Sequence, residues 1–161
     1  GLIGNKLYNI KPKFLPLLCG TSTLLGIIPV ALLLNYPSQA GVANPDITGP
    51  LVLGLMAGFM ISLTGPNVKA MLLNVNAPET RGSIFSLFNL TDNLGKGFGP
   101  VIISIFIVQF GRVYAFNIAN LFWVICGLVL LAMALTFPKD EIALTEAMKE
   151  KAKDMAASVR S

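Results

Sequence analysis

The sequence predicts an all-α fold: a polytopic membrane helix bundle with an amphipathic cytoplasmic tail helix. Three observations carry that expectation. Hydrophobic residues make up 54% of the 161-residue chain, and the mean hydropathy is +0.71. Charged residues make up only 12%, against about 25% in an average soluble domain. Four apolar stretches are each long enough to cross a bilayer, which takes ~20 residues rising ~1.5 Å apiece, and clusters of turn residues separate them.

The first stretch, Phe14–Leu34, follows a basic approach of Lys6, Lys11 and Lys13 and ends at "NYPSQAGVANPDITG". The second, Pro50–Val75, ends at "NAPETRG". The third, Ser83–Phe110, ends at the dipeptide "GR", which is short enough to make spans three and four a tight antiparallel hairpin. The fourth, Tyr114–Phe137, ends at "FPKDE". Residues 1–138 therefore read as the membrane domain and residues 139–161 as a tail. No low-complexity run is present, and the spans are not repeats of one another.

The loops sort by charge. Lys6, Lys11, Lys13, Arg81 and Lys139 fall on one side, and Arg112 alone on the other. The positive-inside rule places both ends of the chain in the cytoplasm, and an even number of spans agrees. The net charge of +4 thus needs no nucleic-acid partner; the first partner is the lipid bilayer. The chain has no histidine and two cysteines, Cys19 and Cys126, both in apolar runs and both read as small packing residues. That leaves no credible zinc, haem or iron–sulfur site, and no cofactor is expected. A histidine box or a nucleophile with its base would mark a membrane enzyme, and the sequence shows neither. Gly1 stands where a complete chain would begin with Met, and no signal peptide is visible; the chain reads as a piece of a longer one.

The tail is a different material. "KDEIALTEAMKEKAKDMAASVRS" balances five basic against five acidic residues. Leu144, Met148, Ala152, Met155 and Val159 recur at helical spacing and form one apolar stripe. Asp140 and Glu141 open this helix and Arg160 lies near its end, as the helix dipole prefers. It is expected to rest on the cytoplasmic membrane face or on the bundle, since zero net charge gives little attraction to anionic lipid.

Within the spans, small residues and charges stand out. Gly54 and Gly58 form a G-x-x-x-G pair, followed by Gly65 and Pro66. Gly95, Gly97, Gly99 and Pro100 cluster in span three. Small residues four apart let helix backbones approach closely in lipid, and proline removes a backbone hydrogen bond and permits a kink. Asp92 lies about 15 Å into span three, near the middle of a ~30 Å hydrocarbon core. Lys96 follows one turn later, in the favourable order for an ion pair, and Asn89, Asp92, Asn93 and Lys96 share a helical face. Ionisable groups at that depth cost at least ~2.5 kcal/mol each and usually face a bundle interior or a wet cavity. Either they form a self-neutralised packing pair, or they line a substrate or ion path. Asn67 and Lys69 make a second, weaker polar patch, although Lys69 is also placed to snorkel. Trp123, Tyr114 and Phe116 read as packing or interface aromatics.

"NAPETRGSIFSLFNLTDNLGKGFGPVI" resembles the segment joining the tenth and eleventh spans of major facilitator superfamily transporters. The likeness rests on a Pro-Glu-x-Arg-Gly loop, here with Glu79, Arg81 and Gly82, and on Gly-x-x-x-Gly-Pro, here Gly95, Gly99 and Pro100. The start, "GLIGNKLYNIKPK", is similar to the end of the eighth span and the basic loop after it, with Gly1 and Lys6 matching. Asn5 replaces the family's acidic residue, and Tyr8 stands where glycine is common. Residues 76–100 also resemble spinster-like members.

The resemblance implies spans nine to twelve of a secondary transporter, whose partners would be the missing N-terminal spans and an unknown small-molecule or lipid substrate. Such proteins rock two halves about a site near the midplane, and their eleventh span borders the central cavity and helps in gating. Asp92, Asn93 and Lys96 would then bind substrate, carry a coupling proton, or form a pair that breaks as the halves move, with the adjacent glycines allowing the bend. The competing reading is a non-transporting four-span scaffold or assembly protein, in which Asp92 and Lys96 only cement packing.

Overall fold

The computed structural model describes residues 2–37 and 46–158. Val159, Arg160 and Gly1, named above in the tail stripe, the tail end and the N-terminal motif, lie outside the described residues. Among those described, every regular element is α-helical: α1 (Leu2–Ile10), α2 (Phe14–Leu34), α3 (Thr48–Asn74), α4 (Arg81–Phe110) and α5 (Arg112–Ser158). Four of them, α2 to α5, are long and apolar enough to cross a membrane. The fifth, α1, was expected as the end of a span followed by a basic loop. Lys6 is helical instead, and the Lys11 amide still donates to the Leu7 carbonyl. Pro12 then breaks the run, because the residue before a proline is disfavoured in the α region.

The helix α2 packs along both α3 and α5, whereas α4 touches α5 and, more slightly, α3. The core is small and sits at one end, where α2 begins and α3 finishes. Leu15 and Cys19 of α2, Met71 of α3, and Leu130 and Phe137 of α5 are buried there, with Tyr8, Val68 and Met133 packed against them. Cys19 is a packing residue as expected, but Cys126 is exposed.

The close helix contacts are not at the expected glycines. A Cβ added at Gly54, Gly58, Gly65, Gly95, Gly97 or Gly99 would meet nothing within 4 Å. At Gly20 it would lie 2.6 Å from Leu131 Cγ and 2.9 Å from the Leu131 backbone nitrogen. At Gly127 it would lie 2.6 Å from Leu24 Cδ2. So α2 and α5 cross on Gly20 and Gly127, which are 107 residues apart in sequence and form no local spacing pattern. The local G-x-x-x-G of α3 lies on an open face of the described chain.

Turns follow simple rules. Gly111 alone joins α4 to α5, at φ +80, a conformation that glycine adopts without the usual steric penalty. Its amide donates to Ile107 and its carbonyl accepts from Ala115. The expected hairpin is thus present and tighter than the dipeptide suggested. The expected break at "FPKDE" is absent: α5 runs through Pro138 for 47 residues. Pro138 leaves the Ala134 carbonyl without its usual donor. Buried Phe137 anchors the helix there, and the Ala-, Lys-, Glu- and Met-rich sequence beyond favours continuation.

Candidate functional site

The polar face of α4 forms as the spacing predicts. Lys96 Nζ donates to Asp92 Oδ2 at 2.6 Å, and Asn89 and Asn93 lie on the same side. The Lys96 and Asp92 side chains are 71% and 42% exposed, and none of the residues of α4 is buried. Exposure decides the meaning of the pair. In water an i,i+4 pair is worth only about 0.3–0.5 kcal/mol. At mid-span in lipid the same groups carry a cost of at least ~2.5 kcal/mol each by insertion scales. Among the described residues no neighbour buries the pair. Gly95 and Gly97 beside it are open, and Pro100 lies within the unbroken helix, one residue after Gly99.

The second polar patch divides. Asn67 and Lys69 are two residues apart, so a helix turning about 100° per residue points them about 200° apart. Asn67 is 4% exposed, donates to the Leu63 carbonyl at 2.6 Å and packs against Gly4. Lys69 is exposed and lies over the Phe88 ring of α4, 5.9 Å from its centroid. Only Lys69 lies on the α4 side; Asn67 instead lines a polar recess with Asn5, Tyr8 and Asn74.

The loop between α3 and α4 is held from several directions. Asn76 Nδ2 donates to the Leu72 carbonyl, and Arg81 Nε donates to the Asn76 carbonyl at 3.1 Å. Thr80 Oγ1 donates to the Ala77 carbonyl. Lys151 of the tail reaches across to Glu79 at 2.6 Å, and this hydrogen bond holds the Glu79 carboxyl below the usual carboxylate range. Leu144, Ala147, Met148, Ala152 and Met155 of the tail face Ala77 and Pro78. The apolar stripe therefore has an address, namely the loop that opens α4. Gly82 lies in the first turn of α4 with open space around it.

Two polar clusters carried no sequence signal beyond single hydroxyls and amides in apolar runs. Thr64 of α3 meets Ser22 Oγ at 3.2 Å and Thr23 Oγ1 at 3.1 Å on α2. Ser22 and Thr23 also donate to the Cys19 carbonyl. Near the Gly111 end, Asn35 and Asn117 donate to each other's carboxamide oxygens at 3.2 and 3.3 Å. Such bonds tie helices together within lipid. Among the described residues no group of three or more His, Cys, Asp or Glu side chains is placed to hold a metal.

Neither a curated protein nor a solved structure matches the chain. The model of one family does, over residues 9–156, which takes in all four long apolar helices, the Pro-Glu-x-Arg-Gly loop and the charged face of α4. The match covers most of the chain, and the chain, an integral multi-pass membrane protein, belongs to the Major Facilitator Superfamily, a family of secondary transporters.

Proposed function

We propose that this chain forms spans nine to twelve of a secondary transporter of the spinster-like type, which moves a small or lipid-like solute by alternating access. On this reading α2 to α5 are those four spans, residues 139–158 are their cytoplasmic tail, and the remaining spans complete the path. The order of motifs supports this reading: the Pro-Glu-x-Arg-Gly loop precedes a span with Gly-x-x-x-Gly-Pro, as between the tenth and eleventh spans of the family. Both ends are then cytoplasmic, in keeping with the basic residues at Lys11, Lys13, Arg81 and Lys139.

One observation carries the functional part. The Asp92–Lys96 pair stands at mid-span on a face that no residue of the described chain covers. A charge pair there needs a polar surrounding, and an aqueous path between two halves supplies one. Asp92, Asn93 and Lys96 would line that path, with Asn89 one turn nearer the cytoplasm and Lys69 at its edge. The pair closes on itself in this structure; substrate, a proton or a group on the opposing half would compete for either member.

The experiment is uptake by the full-length transporter in vesicles, against a panel of small solutes and lysophospholipids. Asp92→Asn leaves Lys96 as an uncompensated charge and is expected to lower transport severalfold and to change its pH dependence. Unchanged transport together with an unchanged pH profile would overturn the proposal.

A further inference from the structure

The four long helices are not held alike. α2 is hydrogen-bonded to α3 through Ser22, Thr23 and Thr64, and to α5 through Asn35 and Asn117. It also crosses α5 on Gly20 and Gly127. Among the described residues, nothing comparable fastens α4. None of its residues is buried, and it touches α3 only slightly, with the Lys69 ammonium over the Phe88 ring. The side-chain hydrogen bonds of Thr91, Asp92, Lys96 and Ser104 stay within the helix, and that of Arg81 reaches only the loop before it.

The two ends of α4 differ from its middle. At one end Gly111 is the whole connection to α5. Its amide closes the last turn of α4 on Ile107, and its carbonyl opens α5 on Ala115. A change of angle between the two helices therefore falls on the torsions of a residue that tolerates a wide range of them. The other end lies about 45 Å away, at the start of the 30-residue helix. There the loop before α4 is seated on the α5 tail: Ala77 and Pro78 face Leu144, Met148 and Met155, and Lys151 donates to Glu79. The tail continues α5 without a break, and Phe137 of that helix is buried in the core shared with α2 and α3. Contact through the tail thus ties the entry of α4 to the core. The tie is of a kind that opens easily. Both members of the ion pair are 62% exposed, and exposed pairs are weak and screened by salt.

We propose that the tail of α5 is a releasable latch on α4. Closed, as in this structure, it holds the entry of α4 against the bundle. Open, it lets α4 swing about Gly111 and carry the Asp92–Lys96 face with it. The latch is built from contacts within the chain and does not depend on the transport reading.

The test is distance measurement by double electron–electron resonance on the full-length protein in lipid nanodiscs, with the native cysteines replaced. Spin labels at Leu25 of α2 and Leu128 of α5 serve as references, each paired in turn with a label at Leu87 or Phe98 of α4; all four side chains are exposed. Along the helix Leu87 lies about 36 Å from Gly111, and Phe98 about 20 Å. Lys151→Glu sets like charges against each other at Glu79 and opens the latch. A swing of about 10° then displaces Leu87 by about 6 Å and Phe98 by about 3 Å. Combining Glu79→Lys with Lys151→Glu, which restores the pair with its charges exchanged, should return both to their original positions. An unmoved Leu87 would overturn the proposal. So would equal displacement at the two positions, which means general loosening, or displacement of Leu87 with Phe98 still, which puts the pivot inside α4. A charge exchange that restores neither position would overturn it as well.

Discussion

The crossing of α2 and α5 offers a sharp test, because structure and local sequence pattern point to different glycines. Consider Gly20→Ala beside Gly54→Ala. Both substitutions remove a glycine from a helix interior, and intrinsic propensity favours each by up to about 1 kcal/mol. That term cancels in the comparison. What differs is space. At Gly20 the new methyl would sit 2.6 Å from Leu131 Cγ and 2.9 Å from the Leu131 backbone nitrogen. Carbon–carbon contact is comfortable at about 3.5–4.0 Å, so the shortfall is about 1 Å. Leu131 can turn its side chain, but its backbone nitrogen cannot move without α5. At Gly54 the methyl meets nothing within 4 Å. Overpacking of this kind costs about 1–3 kcal/mol, so Gly20→Ala should be less stable than Gly54→Ala by that amount. For a chain of this length the gap corresponds to about 2–12 °C in Tm, measured by thermal unfolding in one detergent. A Gly54→Ala chain as unstable as Gly20→Ala, or a neutral Gly20→Ala, would refute the crossing described here and restore the G-x-x-x-G pair as the contact.

Two further outcomes follow from the turns and the tail. Gly111 has φ +80 and ψ 161, a region that is essentially glycine-only and costs other residues about 1–3 kcal/mol; Gly111→Ala should lower stability by that amount in chemical unfolding, whereas Gly82→Ala, in open helix, should not. Glu79 has a folded-state pKa held low by Lys151, so its contribution is present above the ordinary glutamate pKa of about 4.3 and is lost as pH falls through the depressed value. Protection factors for amide exchange over residues 76–80 and 144–155, corrected for the intrinsic pH dependence of exchange, should therefore be higher at neutral pH and fall on acidification, and Lys151→Ala should give the low values at every pH.

Much of the architecture is legible from composition because lipid imposes it: a backbone crossing hydrocarbon must bond internally, so long apolar runs become helices. The Asp92–Lys96 pair is legible for a related reason, since i and i+4 meet on any helix. Three features escape local reading. Pro138 looks like a stop, yet the helix continues because Phe137 beside it is buried against α2 and α3. Asn67 and Lys69 look like one patch, yet the helical turn sends one inward and the other towards α4. Gly20 and Gly127, Asn35 and Asn117, and Glu79 and Lys151 are pairs from distant parts of the chain. Each partner alone is an ordinary residue, and only the assembled bundle makes it specific. The face of α4 is a different case: the sequence identifies its members, and what covers them is a property of the path proposed above.

The unbroken α5 also has a mechanical meaning. From Phe137 to Ser158 it extends about 31 Å beyond its anchored stretch. A tilt of about 5° at Phe137 therefore sweeps the far end through about 3 Å. Lys151 lies about two-thirds of the way along this arm and grips Glu79, two residues before α4 begins. Small rotations of the last span are thus geared up into displacement of the loop that leads into the charged helix, and a distance label at Met155 would read them as a needle reads a dial.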